Sequence, residues 1–178
     1  NSRTNNRAHI IALVELVGLI PKRSSGVAAN TEPDGVDVQV ITDMWAALIE
    51  EVHLYAREAN QIEKERFFLS MVGKVKLPTH CVIVAEVDDE IVGFASGFLH
   101  HYEYGTSKLI GTCDNIYLEQ EYRNAGLLDD MLNWLMNYGK SYGMKEMEFL
   151  TVYDTTLAKL WERKGFKPVQ ITYSKICQ

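Results

Sequence analysis

Apolar and polar positions along this chain follow the two-residue period of strands and the 3.6-residue period of helices in turn. Val36 to Ile41 is β-branched with polar residues interleaved, which predicts a strand. Thr42 or Asp43 then caps a helix, and Trp45, Leu48, Ile49, Val52, Tyr55, Ala56 and Ala59 recur at helical spacing as one buried stripe. Gln61 to Val72 predicts a second helix with Phe67, Phe68 and Met71 inward, and Pro78 closes the loop after it. Cys81 to Val87 and Ile91 to His100 predict two strands joined by the polar turn Asp88-Asp89-Glu90, a hairpin. Tyr102 to Lys108 reads as a loop and Leu109 to Leu118 as a third strand in this run. Gly126 to Gly139 predicts a helix with Leu128, Met131, Leu132, Leu135 and Met136 inward. Glu146 to Val152 reads as a strand, Thr155 to Arg163 as a helix and Pro168 to Ile176 as a final strand. The expected order is β-α-α-β-β-β-α-β-α-β. It predicts an α/β fold with a mixed, twisted sheet and helices on both faces. Strands 109–118 and 146–152 should be parallel neighbours that splay apart, because the helix between them makes a right-handed crossover.

Ahead of this run, Arg7 to Leu19 is apolar almost all round and reads as an extra N-terminal helix ended by Pro21. Its expected role is to pack on the domain or on a second copy of the chain, the latter giving a homodimer. Residues 22–35 are rich in Ser, Gly, Asn, Asp and Pro and read as a linker. The expected organisation is therefore 1–35 as helix and linker and 36–178 as the domain.

Composition narrows the function. The net charge of −6 disfavours nucleic acid, which is bound by Lys and Arg neutralising phosphates, and weakly favours a cationic small molecule. The apolar stretch Ala8 to Ile20 is interrupted by Glu15 and too short to span a bilayer. The helix also lacks the clean polar face of a membrane-surface element, so no membrane partner is expected. The three cysteines, Cys81, Cys113 and Cys177, are widely spaced and form no CxxC or Cys/His cluster, so no metal is expected. Free thiols in a reducing cytoplasm are the simplest reading.

Two segments carry more specific information. Asp114-Asn115-Ile116-Tyr117-Leu118-Glu119-Gln120-Glu121-Tyr122-Arg123-Asn124-Ala125-Gly126 is a strand, a turn with glycine, and a helix start. Such a turn aims backbone N–H groups and the positive end of the helix dipole at an anion. The segment resembles E-D-I-Y-V-x-P-x-Y-R-G-x-G-x-G/A of the GNAT superfamily of N-acetyltransferases. Leu160-Trp161-Glu162-Arg163-Lys164-Gly165-Phe166 resembles the L-Y-E-K-x-G-F segment of the same family, in the expected order and at the expected spacing. The resemblance covers roughly residues 36–176 and implies the GNAT fold and acetyl-CoA as cosubstrate.

By that resemblance, Arg123, Asn124, Ala125, Gly126, Leu127 and Leu128 cradle the pyrophosphate. The strand edge at Ile116, Tyr117 and Leu118 pairs with the pantetheine arm, and Trp161 fills space at the thiol end. Asp114 stands where polyamine-acetyltransferase-like members carry a glutamate proposed as base, one methylene longer. The family tyrosine that protonates the departing thiolate is Trp161 here, and an indole N–H is no general acid. Tyr153 is the substitute candidate, with Tyr117 a weaker one and water a third. His100 and His101 end a strand bordering the expected acceptor site; adjacent residues point to opposite faces, so the pair is no metal site.

The resemblance implies an acetyl-CoA-dependent enzyme that moves an acetyl group directly to a primary amine of a small molecule, both substrates being bound together. The second reading is a GNAT-fold binding or assembly module without acetyl transfer. It rests on Leu128 in place of the last Gly/Ala of the loop, on Asp129-Asp130 just after it, and on Trp161.

Overall fold

The computed structural model describes residues 8–12, 35–52, 64–102, 107–124, 126–151 and 156–170. Five strands form one sheet in the order β1 (Ala8–Ala12), β2 (His80–Val87), β3 (Glu90–His101), β4 (Leu109–Leu118) and β5 (Glu146–Phe149). The first four pair antiparallel, and β4 pairs with β5 in parallel. The helices are α1 (Gly35–Val52), α2 (Lys64–Lys74), α3 (Leu127–Ser141) and α4 (Thr156–Arg163).

The central strands are buried on both faces, which is why β2 reads as a continuous apolar run. Val82 and Val84 of β2 and Phe94 of β3 pack with Val38, Ile41, Met44, Met71 and Val75 of α1, α2 and the turn after it. On the opposite face, Cys81, Ile83, Ala85 and Val87 meet Leu127, Met131 and Leu135 of α3. Two helices therefore cover one face and α3 the other, as the mixed-sheet reading expects. Leu132 and Gly139 of α3 are also buried, while Leu128 and Met136 are half-buried. The hairpin turn carries Asp88 at φ 53° and Asp89 at φ 66°, the two left-handed residues that match the twist of the flanking strands.

Two expectations are corrected. Residues 8–12 are a strand, not part of a helix: Ala8 lies opposite Val87 and Ala12 opposite Ile83. A short run apolar on every side has no period to separate a buried strand from a buried helix. This strand joins the sheet from ahead of residue 35, so the sheet draws on both sides of the expected linker. Conversely, Val36–Ile41 is helical, the first turns of α1. The alternating valines coincide with a helical stripe, and Val38, Ile41 and Thr42 are its buried positions. Thr42 consequently sits inside the helix, its hydroxyl donating to the Val38 carbonyl at 2.8 Å rather than capping an end. The expected final strand is not formed at residues 168–170, and its remainder lies outside the described residues, as do most of the expected N-terminal helix and linker.

Candidate active site

The site is built where β4 stops pairing with β5. The parallel ladder runs from Ile110 opposite Glu146 to Cys113 opposite Phe149, and Leu150 N–H closes it by donating to the Cys113 carbonyl at 3.0 Å. β4 continues to Leu118, past the last residue that the described β5 pairs, so Ile116, Tyr117 and Leu118 lie beyond the parallel ladder. This is the parallel pair that the crossover helix predicts.

At the point of divergence β4 carries a bulge. Ser96 lies opposite Asn115 and Gly97 opposite Cys113, which leaves Asp114 as the extra residue. Gly97 is required there, because a Cβ would stand 2.5 Å from the Thr112 carbonyl oxygen. The bulge turns the Asp114 carboxylate toward the α1/α2 face. One of its oxygens accepts from the buried Ser96 hydroxyl at 2.7 Å, and the other from Lys74 Nζ, at the end of α2, at 2.5 Å. The Ser96 oxygen in turn accepts from Asn115 Nδ2 at 3.0 Å. The Lys74 and Asp114 side chains are each only 20% exposed, so this ion pair is shielded from full solvent screening.

His80, the first residue of β2, lies in the field of the same pair. Burial lowers its pKa first, the Lys74 ammonium lowers it further, and the Asp114 carboxylate pulls it back up. The folded pKa thus lies below the unfolded one. Stability from His80 is present above the unfolded value and is lost as pH falls toward the folded one. The expected NMR titration midpoint is below the ordinary histidine value; Lys74→Met should move it up and Asp114→Asn further down. Shifts of the opposite sign would contradict this electrostatic arrangement. Beside His80, the rings of Phe98 and His100 continue the row, at 5.6 Å from His80 to Phe98 and 5.3 Å from Phe98 to His100. His100 Nε2 meets the buried Thr112 hydroxyl at 2.8 Å, while His101 is exposed, so the two histidines part as expected.

The turn after β4 is the segment in which an anion cradle is expected. A short 3₁₀ turn at Gln120–Tyr122 leads through Arg123 and Asn124 to Gly126, which precedes α3 at φ 85°. The Asp129 and Asp130 N–H groups both turn back to the Gly126 carbonyl, at 3.0 and 3.2 Å, while the N–H groups just ahead of them have no acceptor within the helix. A Cβ on Gly126 would meet none of the described residues beyond its own chain neighbours within 4 Å. Arg123 braces the turn: its Nε donates to the Leu118 carbonyl at 2.8 Å and its guanidinium lies over the Tyr117 ring. Leu127 is buried, and Leu128 packs against the α3-side core, so neither side chain is simply an obstacle above the turn. Asp129 pairs with Lys164, which follows α4, so one of the two first-turn carboxylates is neutralised.

Trp161 of α4 is 4% exposed and packs on Phe149, at a centroid distance of 4.6 Å, and edge-on to Phe166. Phe149 is the last paired residue of β5, so the indole lies behind the end of the parallel ladder, and its buried Nε1 has no hydrogen-bond partner among the described residues. Ala125 and Tyr153 lie outside the described residues. Sequence reasoning missed Lys74, Ser96 and His80. Ser96 left a trace as a lone hydroxyl in an apolar strand; Lys74 left none, because only the tertiary fold brings α2 to the bulge. Among the described residues no group of three acidic, Cys or His side chains is placed to hold a metal, and no helix is long and apolar enough to cross a membrane.

A mixed sheet with a parallel pair at one edge, a bulge on β4 and a glycine turn before the crossover helix places the chain among the α/β folds. The sequence model of the acetyltransferase (GNAT) domain matches residues 78–168, and the chain belongs to that family of acetyltransferases. No match is found among curated proteins. Among solved structures, the aminoglycoside N-acetyltransferase AAC(6')-Iy in complex with CoA aligns at 15% identity over 99% of this chain and 100% of its own, with a TM-score of 0.66. An aminoglycoside acetyltransferase from an uncultured soil metagenomic sample, in complex with sisomicin, aligns at 10% identity over 81% of this chain and 92% of its own, TM-score 0.60. Glucosamine-6-phosphate N-acetyltransferase from Arabidopsis thaliana aligns at 15% identity over 79% of this chain and 90% of its own, TM-score 0.58. At these identities the likeness is one of fold.

Proposed function

We propose that this acetyltransferase moves the acetyl group of acetyl-CoA directly to a primary amine of a small, cationic molecule, with both substrates bound at once. The observation that carries the reading is Asp114: an unpaired bulge residue whose carboxylate stands where β4 and β5 part. The β4 segment Ile116–Leu118, beyond the ladder with β5, would lie along the pantetheine arm, and the turn 123–128, Ala125 included, would hold the pyrophosphate on the N–H groups around Gly126. The cosubstrate supplies an activated acyl thioester. The chain supplies alignment and a carboxylate able to take a proton from the incoming ammonium and pass it to water.

The substrate class rests on charge. The chain is acidic overall, at a net charge of −6, which favours a cationic amine acceptor. Two of the similar folds are described as aminoglycoside acetyltransferases, which fits such an acceptor without specifying it here. Release of CoA thiol, followed across a panel of polyamines, amino acids and aminoglycosides, tests the reading. Amine-dependent release with at least one of them is expected. Saturable acetyl-CoA binding with no amine-dependent release from any would favour the second reading, a binding module.

Protonation of the leaving thiolate falls to Tyr153 or to water, since Trp161 lacks an acid. Trp161→Tyr should raise kcat, by about tenfold for an untuned acid against the roughly hundred- to ten-thousand-fold of an evolved one. The KM for acetyl-CoA should stay the same. A lower kcat with unchanged stability would show that the indole itself serves the site.

A further inference from the structure

The ion pair at the bulge has a consequence for the chain's own chemistry. Lys74 is a primary amine, and its Nζ rests 2.5 Å from the carboxylate that the proposed function assigns to an incoming amine. Its tether is short and ordered: Lys74 ends α2, whose preceding turn is anchored by the fully buried Met71, and Val75 just after it is buried again. The ammonium is thus held at the apex rather than swinging on a free stem. Lys76, two residues on, is exposed and serves as a natural comparison.

We propose that Lys74 is an intramolecular acetyl acceptor, so that the protein acetylates itself at this position. The inference rests on the proposed acetyl-CoA reading. The Lys74 ammonium passes one proton to Asp114, and the neutral nitrogen attacks the thioester carbonyl. The C–N bond forms, the C–S bond breaks, and the CoA thiolate takes a proton from the new amide nitrogen. The products are acetyl-lysine, CoA thiol and one proton, which leaves from Asp114 to solvent. Holding amine and carboxylate together replaces an encounter by a preset geometry, a large factor in acyl transfer. Transfer also removes the positive charge on Asp114, which leaves the carboxylate to a second amine.

The test incubates the full chain with acetyl-CoA carrying an isotopically labelled acetyl group and no added amine. Peptides are then read by mass spectrometry, alongside calorimetry of acetyl-CoA binding. Expected is one label per chain, on Lys74, accumulating with a rate constant independent of protein concentration and matched by CoA thiol release. Lys76 should stay at the level of the urea-unfolded chain. Lys74→Arg should abolish the label while keeping the circular dichroism spectrum, and the peptide map of the unsubstituted chain decides the point even if that variant fails to fold. Lys74 and Lys76 labelled at equal rates, or Lys74 unlabelled in a protein that binds acetyl-CoA and acetylates small amines, would overturn the inference and leave the proposed function standing. No acetyl-CoA binding at all would overturn both.

Discussion

Gly126→Val is expected to abolish detectable acetyl-CoA binding while leaving a folded protein. Gly126 adopts φ 85°, a left-handed conformation that a β-branched residue reaches only under strain of about 1–3 kcal/mol. Its Cβ position meets no protein atom within 4 Å, so nothing in the core has to move and the loss of stability stays at that scale. The empty volume is instead where a pyrophosphate would approach the first N–H groups of α3. Displacing two charge-assisted hydrogen bonds, each worth about 1.5–3 kcal/mol, predicts a fall in affinity of about a hundredfold or more. Calorimetry with acetyl-CoA reads the affinity, and thermal unfolding confirms the fold. Undiminished affinity in a folded Gly126→Val protein would place the cosubstrate elsewhere.

Asp114→Asn should lower kcat by about a hundred- to ten-thousand-fold, the range lost with a positioned proton-transfer group. Asparagine keeps the size and can still accept from Ser96, so the bulge persists. What disappears is the negative charge that faces Lys74 and would receive the proton of the acceptor amine. The loss should be greatest at low pH, where the amine arrives protonated, and acetyl-CoA affinity should change little. Steady-state kinetics across pH separates the two parameters. A kcat unchanged at every pH would remove Asp114 from the proton path and leave it a structural partner of Lys74.

Much of this arrangement was legible in the sequence. Leu109–Leu118 carried the correct strand limits, because its flanking loop and turn residues are unambiguous. The two motif segments mark the end of β4, the glycine turn ahead of α3 and the Trp161 end of α4. The first strand was misplaced: the valines of 36–41 satisfy both a strand period and the Val38–Ile41–Thr42 stripe of α1, and packing against Phe94 and Met71 decides for the helix. Residues 8–12 failed for the opposite reason, His9 being a single polar position, too few to set a period. Two electrostatic features were out of reach because they join distant segments: Asp129 pairs with Lys164 across 35 positions, and α2 brings Lys74 to Asp114. The bulge is likewise a property of the pairing of two strands, with only Gly97 opposite it as a hint.

The central claim is that acetyl-CoA occupies the cleft between β4 and β5 with its pyrophosphate on the turn at 123–128. Amide chemical shifts followed during an acetyl-CoA titration test this most directly. The account predicts saturable changes concentrated at Ile116, Tyr117 and Leu118 and at Gly126, Leu127 and Leu128, with Val38, Ile41 and Met44 of α1 unmoved. Saturation without change at the β4 edge and the turn, or no saturable change at any amide, would contradict it.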